Sequence, residues 1–317
     1  MKKEKNETGV STPAKKKSYG LLIVATVLLL ASMIFVLYAY NHSYQDSLVT
    51  KAEISALKKA AADAASSETT QTKEALAALS AQKLSQERPY SYGLTFLFLA
   101  VVLLIKGLYN AVIGVKIQKT DVKKLAIAGL MAALCYIGFA FFKIDIPVGT
   151  EKTAFHFGNV FCVLAALLIG GYWGGLAGAV GMTIGDLTTA YVTSAPKTFL
   201  LKLCIGLIIG LFAHKVFRIS KAHSAKYIAT TTVLSCVLGM AFNVVADPVV
   251  GYFYKQYLLG VPQDLAAALA KMSAITTFVN AVVCVIAASI FYLALRPALK
   301  KSGLFEQLEP TEASAKN

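Results

Sequence analysis

Lys143-Ile-Asp-Ile-Pro-Val-Gly-Thr-Glu-Lys-Thr-Ala-Phe-His-Phe-Gly-Asn159 is a dense polar stretch set into an almost unbroken series of apolar segments that runs from Leu125 to Leu295. A soluble domain is not built this way. Charged groups held against membrane helices are costly, and where they occur they usually mark a place at which something is bound or moved. The stretch thus points to an integral membrane protein and to the part of it that acts.

Composition agrees. A hydrophobic fraction of 56%, only 15% charged residues and a mean hydropathy of +0.62 place the chain among polytopic membrane proteins. A hydrocarbon core of ~30 Å takes about 20 apolar residues per helix. That ruler predicts eight spans: Tyr19–Tyr40, Tyr92–Val115, Leu125–Phe142, Phe155–Gly170, Trp173–Tyr191, Thr198–Ala213, Tyr227–Val250 and Met272–Leu295. The fourth and sixth are short. Tyr19–Tyr40 is long enough to span and no small-x-small cleavage site follows it, so it reads as a retained anchor.

The net charge of +14 raises the question of nucleic acid, but its placement answers it. Lysines and arginines gather in alternate loops, at Lys2–Lys17, Lys116–Lys124, Lys215–Lys226 and Arg296–Lys301, while the intervening short loops hold few. This is the positive-inside pattern, and it predicts both termini in the cytoplasm of a multi-pass cell-membrane protein. A nucleic-acid binder would need a basic face on a soluble domain, and the sequence offers none. The five cysteines, Cys135, Cys162, Cys204, Cys236 and Cys284, lie within apolar spans, are odd in number and form no CxxC pair. They read as small buried hydrophobes rather than disulfides or metal ligands.

The chain divides into a basic tail (1–18), a transmembrane hairpin (19–116) with an external helical segment (41–91), a six-span block (123–301) and a disordered tail (302–317). In the external segment Ile54, Leu57, Ala61, Ala64, Leu76 and Leu79 fall at roughly helical spacing, interrupted at Ser66-Ser67-Glu68-Thr69-Thr70. Two helices or one frayed helix both fit. No heptad seam is sustained, which favours a solvated spacer over a docking stalk or small coiled coil.

Within the six-span block, Ala126, Ala128, Gly129, Ala132 and Ala133 give the first helix a face with almost no side chain, suited to close approach by another helix of the same bundle or of a partner. Gly174, Gly178, Gly181 and Gly185 form one helical stripe. No Gly-Lys-Ser/Thr follows, so helix packing rather than phosphate binding accounts for it. Asp186, near the end of that span, should face a cavity or a cation rather than lipid. The topology sends Lys143, Asp145, Glu151, Lys152, His156 and Asn159 to the same side as Asp186, Thr189, Tyr191, Thr193 and Lys197. Asn243, Asp247, Tyr252, Tyr254, Lys255 and Asn280 join them. With Phe155, Phe157 and Phe161 as flat apolar walls, this is the make-up of a small-molecule pocket. Blander roles exist: Lys197 and Lys255 could snorkel to the interface, and His156 could bond a backbone carbonyl. Catalytic signatures are missing. Thr193-Ser-Ala-Pro196 has no glycine elbow, and HExxH and paired cysteines are absent, so no catalytic residue, metal or cofactor is expected.

Four runs of the six-span block resemble the substrate-binding (S) component of energy-coupling factor (ECF) vitamin transporters, in the riboflavin-type branch that also holds pyridoxine and hydroxymethylpyrimidine binders. They are Ala128-x-x-x-Ala132; Ile146-Pro-Val-Gly149 ahead of Phe155-His-Phe-Gly-Asn159; Leu168 to Gly181 with Asp186; and Ala195-Pro-Lys-Thr-Phe-Leu-Leu-Lys202. The resemblance implies an all-α membrane fold of six helices, here preceded by two additional transmembrane helices. It implies no enzymatic activity, a vitamin-like ligand, and partners in the bilayer: a transmembrane coupling subunit and two ATPase subunits that drive toppling of the S component. Ala128 and Ala132 become expected docking residues. Lys152, His156, Asn159, Asp186 and Asn243 become expected ligand contacts, and Asp247 and Asn280 complete the set. The first 120 residues depart from the usual S-component pattern.

Overall fold

Glycine decides the core of this molecule. The computed structural model describes residues 19–63, 70–113, 122–221 and 223–301. The predicted tails, the Ser66–Thr69 break, the Lys2–Lys17 cluster, and Lys116 and Lys119 lie outside them. Helix α6 (Gly171–Thr188) runs through the middle of the six-helix block. A Cβ on Gly174 would come within 2.3 Å of the Ala166 backbone on α5 (Gly158–Ile169), and one on Gly178 within 2.1 Å of Cys162 Sγ. Further along, Gly181 leaves 2.1 Å to the carbonyl oxygen of Ala132 on α4 (Val122–Ala140), and Gly185 leaves room for the Phe139 ring. On its other side α6 meets α7 (Ala195–Gly210) glycine to glycine, Gly175 against Gly206 and Gly171 against Gly210. The predicted close-packing stripe is thus what the sequence uses to bring backbones together where lipid supplies no hydrophobic drive.

The rest of the block follows in up-and-down order. A π-type turn (Leu211–Val216) extends α7, and α8 (Ala225–Phe253) starts from Ser224, whose hydroxyl caps the Tyr227 N–H at 3.3 Å. The last helix, α9 (Gln263–Lys301), returns along α8 and α5. Gly170, at φ +86, makes the tight reversal between α5 and α6. Among the described residues six helices are long and apolar enough to cross a membrane. The predicted fourth span is corrected: α5 has only 12 residues, ~18 Å, and 11 of them are buried. Phe155 and His156, assigned to that span, belong instead to a strand.

That strand closes a small antiparallel hairpin, β1 (Lys143–Val148) with β2 (Glu151–His156), paired from Lys143 opposite His156 to Val148 opposite Glu151. Gly149 at φ +61 occupies the first of the two turn residues, where a II′-type hairpin turn places glycine. Pro147 has no donor to give and is tolerated on an edge strand. The hairpin caps one end of the bundle, called the hairpin end below. The described basic clusters, including Lys123, Lys124, Lys215 and Arg296, lie at the other.

The N-terminal hairpin corrects the spacer reading. α1 (Gly20–Ala39) passes through a π-type turn (Tyr40–Tyr44) straight into α2 (Gln45–Asp63), and α3 (Thr70–Ile113) runs back as 44 helical residues. Both continue past the apolar spans and pack on the hairpin end. Tyr44 Oη donates to Leu259 O at 2.7 Å and Tyr90 Oη to Leu258 O at 3.1 Å. Lys58 reaches Gly149 O at 3.0 Å and Lys83 reaches Thr150 O at 2.9 Å. A charge cluster joins the two parts: Lys51 lies 2.7 Å from Glu87 and 3.5 Å from Glu151, and Lys83 lies 2.9 Å from Glu151. Burial raises the Glu151 carboxyl, but Lys255, Lys83 and Lys51 together hold it well below the usual carboxylate range.

Candidate functional site

Beneath the β-hairpin, at the end of the bundle where α4 to α9 diverge, lies a cavity of about 90 Å³. All seven residues expected to contact a ligand line it: Lys152 and His156 from β2, Asn159 from α5, Asp186 from α6, Asn243 and Asp247 from α8, and Asn280 from α9. Their convergence needs both the glycine-tight α5–α6–α7 core and the returning hairpin, because the seven come from elements far apart in the chain.

The seven do different things. Asp247 is committed: Lys197 Nζ donates to its Oδ1 at 2.6 Å, Thr277 to Oδ2 at 3.1 Å, and Ser273 to Oδ2 as well. Asn280 holds β2 onto α9, accepting from the His156 N–H at 3.0 Å and donating to Ala154 O at 3.1 Å. Thr153 and Thr276 share a hydrogen bond at 2.9 Å that adds to the same junction. Lys152 sits at the mouth, 46% exposed and 3.7 Å from Asp145. The remaining four, Asn159, Asp186 and Asn243 buried and His156 half-buried, carry buried atoms with free valences. Among the described residues, His156 Nδ1, Asn159 Oδ1, Asp186 Oδ2 and both amide atoms of Asn243 find no hydrogen-bond partner. Leaving a buried polar group unpaired costs about 1–3 kcal/mol each, so their concentration around one space fits groups reserved for a bound molecule. Burial, reinforced by Lys202 and Lys143 against the opposing Asp247, lowers the His156 imidazole to about 3, so it is neutral at pH 7.

Several expectations are revised. Phe155 and Phe157 do not wall this cavity; they edge a separate outward groove with Phe141, Phe142, Val279 and Val283. Phe161 packs on Gly138. The aromatic walls are Phe139 and Tyr191, whose hydroxyl donates towards Asp145 at 2.9 Å and Thr153 O at 3.1 Å. Lys197 and Lys255 do not snorkel: each lines the cavity. His156 bonds a side-chain amide through its own backbone rather than a carbonyl through its ring. Lys202, Ser273, Thr276 and Thr277 also line the space and were not among the expected residues. The signal for Lys202 is present in the sequence, since a lysine between Leu200-Leu201 and Leu203 in an apolar span demands a reason.

On α4 the expected docking pair is divided, Ala128 being buried and Ala132 half-buried. Ala128 is buried in the core and Ala132 presses its carbonyl on Gly181, whereas Ala126, Gly129 and Ala133 form the exposed small-residue stripe. Among the described residues, nothing lies within 4 Å of where a Cβ on Gly129 would sit.

The chain finds no match among curated proteins or among solved structures. Residues 119–297, more than half of its length, match the family model described as ECF-type riboflavin transporter, S component. That family is a non-enzymatic transporter subunit, and α1 to α3 lie outside the matched residues. A multi-pass helical membrane fold and a family match over the whole cavity-forming block place this chain in the family of S components of ECF-type riboflavin transporters.

Proposed function

We propose that the protein captures a small vitamin or vitamin precursor, of the riboflavin, pyridoxine or hydroxymethylpyrimidine class, in the cavity under the β-hairpin. It hands this ligand inward when coupled to a transmembrane subunit and two ATPase subunits. The observation that carries the reading is the set of unpartnered buried polar atoms on His156, Asn159, Asp186 and Asn243 around one space. In this reading the hairpin end faces outside, the basic end and both termini face the cytoplasm, and residues 123–301 are the ligand-binding unit. ATP hydrolysis belongs to the partners. At about 90 Å³ the cavity is well below the ~300–1,000 Å³ of ordinary ligand sites, so capture of a ring system includes outward movement of the hairpin.

The small-residue stripe of α4 supports docking of a coupling helix, with Ala126, Gly129 and Ala133 as the reachable part and Ala128 and Ala132 setting the helix close to α6. Mass spectrometry of small molecules that co-purify with the detergent-solubilised chain tests capture directly. Recovery of a vitamin-like ring compound, lost in Asn243→Ala, supports it; a preparation that neither carries nor takes up any such compound sinks it. The double change Ala126→Leu and Ala133→Leu is expected to abolish coupled uptake while sparing ligand binding. Unchanged uptake would instead favour a solitary facilitator. Uptake that survives deletion of residues 42–89 would exclude a scaffold acting through that segment.

A further inference from the structure

Four lysines line the cavity against two aspartates. The pairing leaves this excess unresolved. Lys197 is taken by Asp247, and Lys152 leans outward to Asp145. Lys202, in the middle of α7, is 6% exposed, and Lys255, in the turn after α8, is 9% exposed. Among the described residues neither ammonium group has an ion pair or hydrogen bond within range. Asp247, one of the two aspartates of the cavity, is already saturated by Lys197, Ser273 and Thr277. Lys255 helps to hold Glu151 ionised from beyond ion-pair distance, but that carboxylate is already shared at short range by Lys83 and Lys51. Among the described residues that line the cavity, Asp186 is the remaining carboxylate, with Thr198 hydrogen-bonded to it and its Oδ2 without a partner, against two lysines that make no ion pair within 4 Å.

A buried charge without a counter-charge is costly, and fixed cations lining a cleft attract an anion. The unpartnered His156 Nδ1 and the Asn243 amide beside them can donate to or accept from the rest of a polar ring. Resting on the ligand-capture reading above, we propose that the ligand is an anion: a compact ring compound bearing a carboxylate or a phosphate, its charged group seated between Lys202 and Lys255. This sets the chain apart from a binder of neutral flavin, which would leave that excess unanswered.

Calorimetric titration of the purified full-length chain in detergent tests it with three pairs, each a neutral compound and its anionic counterpart: nicotinamide and nicotinate, pyridoxine and pyridoxine 5′-phosphate, riboflavin and riboflavin 5′-phosphate. The anionic member of at least one pair is expected to bind tenfold or more tightly than its neutral partner. Which pair responds tells carboxylate from phosphate. Lys202→Gln and Lys255→Gln should each erase most of that preference, so that if one variant fails to fold the other carries the test. Lys106→Gln, at the far end of the bundle beside Tyr172, should leave it intact. Neutral members binding as well as or better than anions, with affinities indifferent to Lys255→Gln, overturn the charge assignment and leave ligand capture standing. No binding by any of the six overturns both.

Discussion

Helices α1 and α6 are both apolar and of similar length, yet they live in different surroundings. Of the 20 residues of α1 three are buried, Ala25, Ser32 and Ala39; of the 18 in α6 ten are, six of them glycine or alanine from Gly174 to Gly181. The more hydrophobic helix is the more exposed one, with Ile34 at 71% and Leu37 at 63%. In lipid, apolar character does not select burial, because the solvent is as apolar as leucine. Side-chain size does. Bulky branched residues face hydrocarbon and small ones let backbones meet. Beyond its spans the N-terminal unit is held to the six-helix block by charge and tyrosine hydroxyls.

The largest expected effect breaks the small-residue side of this contrast. Gly206→Leu would drive a side chain into the Gly175 backbone, 2.1 Å from where the new Cβ must sit. We expect loss of at least ~3 kcal/mol, at or beyond the top of the usual overpacking range, seen as failure of the six-helix block to survive mild detergent. A variant of native stability would refute the α6–α7 contact. Next comes the charge cluster. Glu151→Gln strands Lys51 and Lys83 with Glu87 alone and should cost about 3–5 kcal/mol, read as a lowered unfolding midpoint and as earlier proteolysis within residues 45–88. The same cluster has a pH signature. The Glu151 carboxyl titrates below its ordinary value of 4.5, so its contribution is complete above about pH 4.5 and is lost as pH falls towards 2. Burial raises the neighbouring Glu87 carboxyl, so the Glu151 share is read as the difference between the native chain and Glu151→Gln. A difference that grows on acidification, or stays flat from pH 5 to pH 2, would contradict it. Tyr44→Phe removes the bond to Leu259 O and leaves the ring, for a loss of about 1 kcal/mol in the same assay. Smallest of all, Ile34→Ala should change stability by no more than ~0.5 kcal/mol. A loss of 2 kcal/mol there would mean that α1 is a core helix and the contrast is false.

Much of this is legible in the amino-acid order alone. Long apolar runs set the helices, the glycine spacing announces close packing around α6, and intramembrane Asp186 and Asp247 point to a cavity. The polar stretch from Lys143 to Asn159 reads as the acting part, but its β-hairpin is harder to see. The period-two alternation of Ile144, Ile146 and Val148, closed by Gly149, signals a strand, while Pro147 argues against one unless that strand is an edge. The docking of residues 41–91 is not legible. Its anchors are single long-range pairs, such as Tyr44 with Leu259 and Lys83 with Glu151, and periodicity within one helix carries no information about them. The same is true of which lysines are paired: Lys197 and Lys202 differ by five positions, and only the fold shows that one has found an aspartate.

One consequence follows from the length of α3. At ~1.5 Å per residue its 44 residues extend ~66 Å, more than twice the thickness of the oily layer. It is fastened to the six-helix block at two points ~35 Å apart, by Lys83 on Thr150 and by Lys106 on Tyr172. A wholesale tilt of that block, as delivery by toppling requires, would swing this rod like a mast bolted to a rolling hull and drag Lys83 and Glu87 through hydrocarbon. If the chain delivers its ligand as proposed, either these bolts would release on every cycle, or the vessel would stay upright and the cargo leave by another hatch.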